Sequence, residues 1–208
     1  MNIITKKVTL RPAPFVGTRI KIKLEDPESL TWGMSNLTLA EGCERAIIDW
    51  GDGSRTELSE TGEAIHDYAA PGEYEVRISD DIVRICCSGG PTTPYYTAYA
   101  PMIRACITKA ARLGYIHSRC FLNAVNMDAF ICEGSGVTVI GSFSFRDCVS
   151  LKGRLDLRGI DSVMVNAFTS ATGITELHFS EANKAAIMAL DGYGTAFGAP
   201  NAAVVCDL

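Results

Sequence analysis

Two aspartates three positions apart, Asp49 and Asp52, lie in the stretch IIDWGDGSRTEL, with Gly51 and Gly53 beside them. Carboxylates at this spacing could ligate a cation or work as an acid–base pair. A calcium loop of the EF-hand type needs a third oxygen ligand and a closing glutamate, which the stretch lacks. Glycine permits positive φ, and aspartate can bond its own backbone two residues on. The stretch therefore predicts a hairpin turn in which these four residues serve structure, with a weak cation site and a catalytic pair as the alternatives.

The remaining candidates for catalysis give little support to an enzyme. His66, His117 and His178 form no HExxH motif, and neither a GxSxG motif nor a phosphate-binding loop occurs. His178 is expected to point outward, because its neighbours in sequence are inward apolar residues. Cys120 is close to His117 in sequence, but it falls on a small inward position of a repeat. The sequence predicts a protein that is not an enzyme and that uses no cofactor and no metal.

The amino-acid composition and net charge indicate which classes of binding partner are disfavoured. The chain has 208 residues, 47% of them hydrophobic, and a formal net charge of −5, which together supply a core and disfavour binding to nucleic-acid phosphates. No apolar run reaches the roughly 18 residues of a membrane-spanning helix, and the N-terminal residues lack the apolar segment of a secretory signal. Eight cysteines occur without a CxxC pair, so they are expected to be free and buried.

The first half has the alternation of β-strands. TRIKIKLED places Ile20 and Ile22 on one face and Arg19 and Lys21 on the other, and the charged face is expected to be merely solvated. GEYEVRIS alternates in the same way, and glycine-rich or proline-containing turns separate the strands. Several short strands divided by turns predict an antiparallel β-sandwich over residues 1–88.

A family resemblance extends this interpretation. D-W-G-D-G-S at 49–54, followed by H-x-Y-x-x-P-G-x-Y-x-V at 66–76, resembles the PKD domain, an immunoglobulin-like sandwich of extracellular and surface proteins. In that family the matched residues hold the fold and do no chemistry. The resemblance implies that His66 is a structural histidine next to the turn and not a base.

The second half is periodic. Phe121, Phe145 and Phe168 recur at intervals of 24 and 23 residues, and other apolar or small positions recur with them. Repeats of this length stack into a solenoid, because one unit cannot bury its apolar face alone. The three rings are expected to stack along the inside. The other aligned columns include Cys106, Phe130, Leu155 and Leu177, and also Ile116, Ile140 and Val163.

One unit of the second half carries a further resemblance. IGSFSFRDCVSL, residues 140–151, is similar to the BspA-type leucine-rich repeat, with Ile140, Gly141, Phe145 and Cys148 among the matching positions. That family is common in bacterial surface and adhesion proteins and serves binding. The resemblance implies a location at the cell surface or on a virion, although the chain shows no signal peptide, and a protein or glycan as partner.

The segment SGGPTTPYYTAY at 88–99 predicts a boundary between a domain at 1–88 and a leucine-rich-repeat domain with a C-terminal cap at 89–208. Tyr95, Tyr96 and Tyr99 are weak binding candidates as an aromatic patch; the alternative is that they cap the first coil. The boundary predicts that the halves unfold separately. Two functions are compatible with this organisation: a non-catalytic binding or adhesion protein, or a structural component of a phage or secreted assembly with no small-molecule ligand.

Overall fold

The computed structural model describes residues 15–87, 99–132 and 134–207, and within them the chain is mainly β, as predicted. Alternating or β-branched sequence forms the strands of the first half, and glycine-containing turns end them. These strands are β1 (Gly17–Leu24), β2 (Thr31–Leu39), β3 (Ala46–Asp49), β4 (Arg55–Leu58), β5 (Gly62–Asp67), β6 (Gly72–Ser79) and β7 (Ile82–Cys86).

The strands of the second half are shorter, as expected for repeat units that each add one short strand to a stack. Within the described ranges there is one α-helix, α1 (Lys184–Met188), which follows a 3₁₀ turn at Glu181–Asn183. The strands are β8 (Ile103–Thr108), β9 (Tyr115–Ile116), β10 (Ala129–Ile131), β11 (Val139–Ile140), β12 (Gly153–Asp156), β13 (Ser162–Val163), β14 (Ile174–Ser180) and β15 (Ala203–Asp207).

The strands form three sheets. Sheet 1 has the order β10-β8-β1-β6-β3-β4, sheet 2 the order β13-β11-β9-β7-β2-β5, and sheet 3 the order β12-β14-β15. Sheets 1 and 2 are mixed, because antiparallel pairs within the first half give way to parallel pairs within the second. Among the described strands no sheet closes on itself into a barrel.

Strand β1 of sheet 1 follows the predicted alternation. Ile20 and Ile22 of β1 are 0% and 1% exposed, while Lys21 between them is exposed. The indoles of Trp32 and Trp50 meet edge to face, with 6.4 Å between their ring centroids, so side chains from both sheets share one core. Aromatic pairs in this geometry add stability beyond the area they bury.

Both large sheets run across the predicted boundary between the halves. In sheet 1, β8 pairs antiparallel with β1; in sheet 2, β9 pairs parallel with β7. Ile85 of β7 pairs with Ile116 and so extends the column that Ile116, Ile140 and Val163 form. The residues at 88–98 lie outside the described part of the chain. Strands from the two sides of the predicted boundary nevertheless share backbone hydrogen bonds and one apolar core.

The periodicity of the second half corresponds to direct contacts. The ring of Phe145 stacks on Phe121 and on Phe168, with centroids 5.2 Å apart in each pair, and all three are fully buried. The expectation that these rings stack is therefore confirmed. The predicted columns also pair in register, Cys106 with Phe130 and Leu155 with Leu177.

Candidate binding surface

The aspartate pair lies in the connection between β3 and β4, and each carboxylate is engaged locally. Asp49 accepts hydrogen bonds from Gly51 N at 3.1 Å and from Arg55 Nε at 3.1 Å. Asp52 accepts from Ser54 N at 2.9 Å and from Ser54 Oγ at 2.6 Å. Gly51 has φ of +85°, and a Cβ there would lie 2.8 Å from the carbonyl oxygen of Glu75, so this position requires glycine.

His66 ties the turn to the core without forming a catalytic triad. Asp52 Oδ2 lies 2.7 Å from His66 Nε2, and Ser54 Oγ lies 3.2 Å from the same nitrogen. A triad needs the aspartate on one ring nitrogen and the serine on the other. The imidazole also stacks on Trp50 at 5.1 Å between centroids. The arrangement is suited to fixing the turn, since neither a free nucleophile nor a free base results.

Acid should remove the contribution of Asp52 to stability. Burial favours the neutral acid, but the hydrogen bonds from Ser54 and His66 outweigh it and lower the pKa of Asp52 from 3.8 to about 2. The stabilisation is therefore complete above pH 3.8 and disappears as the pH falls through about 2. Urea unfolding of the parent and of Asp52→Asn should differ by about 1 to 2 kcal/mol at pH 5 and converge near pH 2.

Asp49→Asn is the matched control for this measurement, because it removes an ion pair to an arginine whose side chain is 69% exposed. Such pairs are worth about 0 to 1 kcal/mol. If the free energies of unfolding of the parent and of Asp52→Asn differed by the same amount from pH 5 to pH 2, the carboxylate of Asp52 would not be the stabilising group.

The structure pairs a cysteine with a histidine at one place that the sequence did not indicate. A hydrogen bond with Cys86 raises the pKa of His117, whose Nδ1 donates to the carbonyl oxygen of Ser118 at 2.8 Å. Cys86 is only 2% exposed, and a nucleophilic thiol must be reachable by its substrate. None of the eight cysteines, all of which lie in the described ranges, forms a disulfide. Burial raises the pKa of Cys106 and of Cys120, which keeps both thiols protonated.

His178, which the sequence predicts to point outward, is buried. Its side chain is 2% exposed, because β14 is the central strand of sheet 3 and its neighbours cover the ring. The carboxylate of Asp207 hydrogen-bonds its Nε2, and the guanidinium of Arg154 lies 3.2 Å from the same atom. Within the described ranges, no group of three His, Cys, Asp or Glu side chains is placed to hold a metal ion.

Of the three tyrosines predicted as weak binding candidates, Tyr95 and Tyr96 lie outside the described residues. Tyr99 is half-buried and packs against the core, and burial raises the pKa of its hydroxyl, with Asp67 and Glu63 adding to the effect. This position corresponds more closely to a cap than to an exposed aromatic patch.

The outer face of sheet 1 is a surface to which both halves contribute. Residues that pair directly across neighbouring strands point to the same side of a sheet. One such row runs across all six strands and changes from charged on β4, β3, β6 and β1 to apolar on β8 and β10. The row consists of Arg55, Asp49, Arg77, Arg19, Ile107 and Ile131.

Two shallow grooves lie on this face. The first has a volume of about 420 Å³ and takes its lining from both halves, including Lys21 and Glu75 of the first and Arg104 and Asp128 of the second. The second, of about 280 Å³, includes Phe15 with arginines of the row. Ile131 remains 45% exposed although it belongs to a paired strand, so the apolar end of the row is open to a partner.

This surface was missed by reasoning from the sequence. The alternation correctly placed Arg19 and Lys21 on an outward face, but it interpreted them as solvated charges. The sequence did contain one indication of this surface, because the same alternation in GEYEVRIS places Arg77 on an outward face as well. Only the strand order shows that Arg19 and Arg77 are neighbours.

Comparison with protein-family models gives no matching family, and comparisons with curated proteins and with solved structures give no match. Among the described residues no helix is long and apolar enough to cross a membrane.

Proposed function

We propose that this protein is a non-catalytic binding or adhesion protein that presents the outer face of sheet 1 to a protein or glycan. A single observation carries the proposal: strands of both halves form one six-stranded sheet, whose outer face combines grooves, charges and exposed apolar side chains. Exposed apolar surface with a polar surround is typical of interaction sites. Binding of this kind uses side chains on the face of a sheet and requires neither a binding loop nor a catalytic group.

The finer fold that goes with this function is a PKD-like sandwich extended by a short leucine-rich-repeat solenoid. The parallel pairing of Ile116, Ile140 and Val163 and the stacked phenylalanines support this interpretation. Residues with φ near +60° also recur at the same intervals as the phenylalanines, which supports equivalent turns in successive units. They are Arg119, Phe143 and Asn166, and then Asn123, Asp147 and Ser170.

A charge placed at the apolar end of the row tests the proposal. Ile131→Glu puts a carboxylate at a side chain that is 45% exposed. Val149→Glu does the same at one that is 42% exposed and lies in a turn outside the strands of sheet 1. On a glycan array the parent and Val149→Glu should give the same signals, and Ile131→Glu should lose them. Equal signals from all three proteins would exclude the apolar end of this face from the binding surface, and the absence of any signal from the parent would contradict the binding function.

The alternative, a structural component of a phage or secreted assembly, has an observation of its own. Met164, Val165 and Met188 are 42%, 44% and 51% exposed near the last strand of sheet 2, beside a groove of about 350 Å³. Apolar side chains exposed together favour packing between subunits. A stable oligomer by light scattering, with no array signal, would favour this function over the first.

A further inference from the structure

Positive charge on the outer face of sheet 1 is not fully balanced. Arg19 and Arg77 lie directly opposite each other on β1 and β6, where paired Cβ atoms are about 4.5 to 5.5 Å apart and like charges repel. Arg77 Nε donates to Glu75 at 3.0 Å. Among the described residues the side chain of Arg19 has no hydrogen bond or ion pair. An anion that bridges the two guanidinium groups would relieve this repulsion.

An apolar ring lies beside the arginines. Phe15 is 38% exposed, and the guanidinium carbon of Arg77 is 6.0 Å from the centre of its ring. Gly17 permits this placement, since a Cβ there would come within 2.7 Å of the ring and 2.3 Å of the carbonyl oxygen of Ile78. The groove of about 280 Å³ therefore combines a ring, guanidinium donors and the carboxylate of Asp49.

We propose that this groove, together with the neighbouring Arg19 of β1, binds an acidic glycan, with the carboxylate of a hexuronic acid held between Arg19 and Arg77. Planar guanidinium groups match a carboxylate with paired hydrogen bonds. The sugar ring would lie against Phe15, and its hydroxyl groups would donate to Asp49 and to the carboxylate of Glu75. The proposal rests on the binding function given above and names the chemical class of the ligand.

A glycan fits this groove better than an acidic peptide. Peptides that join a sheet add a strand at a free edge. Both β1 and β6 are paired on their two sides, so their backbone groups are already used. At Arg19 and Arg77 recognition must therefore come from side chains, and the groove offers donors, acceptors and one apolar ring within a small area.

The test is isothermal titration with trigalacturonic acid and with its neutral methyl ester. The acid should bind the parent, the ester should bind at least about tenfold more weakly, and Arg19→Gln should weaken binding of the acid by a similar factor. Arg146→Gln is the control, because Arg146 is 48% exposed and lies in a turn of the second half. Affinity for the acid should also fall as salt is raised.

Arg19→Gln removes a like-charge pair, so its melting temperature should not fall; Arg77→Gln is the second variant and should also weaken binding. Equal binding of acid and ester would overturn this inference and leave the binding function standing. Arginine-dependent binding of polyglutamate without binding of the acid would identify an acidic peptide and overturn it too. Absence of binding to the acid overturns the inference, while the Ile131→Glu array comparison judges the binding function separately.

Discussion

Replacing Phe145 by alanine is expected to lower the free energy of unfolding by about 3 to 5 kcal/mol. The ring is fully buried and contacts three others, Phe121 and Phe168 at 5.2 Å and Phe130 at 4.7 Å between centroids. Its removal leaves a cavity between successive units and weakens the contacts on both sides. Against a total stability of about 5 to 15 kcal/mol, this is a large fraction.

The same variant distinguishes separate from joint unfolding of the halves. Both tryptophans, Trp32 and Trp50, belong to the first half and are fully buried, so their fluorescence reports on that half. If the halves were independent, Phe145→Ala would leave the fluorescence transition in urea unchanged. Because sheets 1 and 2 contain strands from both halves, the fluorescence midpoint should fall together with the circular-dichroism midpoint.

Phe143→Ala is the matched control. Phe143 lies two residues away, is only half-buried and is placed beside the guanidinium groups of Arg119 and Arg146, each 5.7 Å from its ring centre. Its loss should cost about 1 kcal/mol. If the two variants were equally stable, the stacked rings would not be a main source of stability in the second half.

Gly173→Ala is expected to destabilise the protein by about 1 to 3 kcal/mol. A Cβ at this position would lie 2.3 Å from the carbonyl oxygen of Leu151 and 3.0 Å from that of Val149. Both atoms are backbone, so relief requires neighbouring units to separate and not merely a side chain to turn. The hydrogen bond from Gly153 N to Gly173 O, at 3.0 Å, joins the same two units and would be strained by that separation.

Gly114→Ala serves as the control, since no atom lies within 4 Å of a Cβ built there and its φ is not positive. That variant should be neutral or stabilise by up to about 1 kcal/mol, because alanine has fewer unfolded conformations. Thermal unfolding of both variants measures the difference. A Gly173→Ala protein as stable as Gly114→Ala would mean that the units are not packed as closely as the structure shows.

The sequence by itself determined which side chains face inward. A period of two in TRIKIKLED and of about 24 in the second half follows from the need of each strand or unit to bury one apolar face. Ile20 and Ile22 are buried for that reason, and Phe121, Phe145 and Phe168 stack. The turn chemistry of Gly51 and Asp52 was also local and therefore visible.

Only the tertiary structure decided which strands are neighbours. Alternation fixes the face of a strand but not its partner, so the pairing of Ile85 with Ile116 had no sequence signal: the interval between them does not equal the repeat. The burial of His178 was missed for a related reason, because a central strand has neighbours that cover its outward side chains. The candidate surface is the clearest case. Arg19 and Arg77 are ordinary outward residues in the sequence, and they become a pair of opposed charges only when β1 and β6 meet.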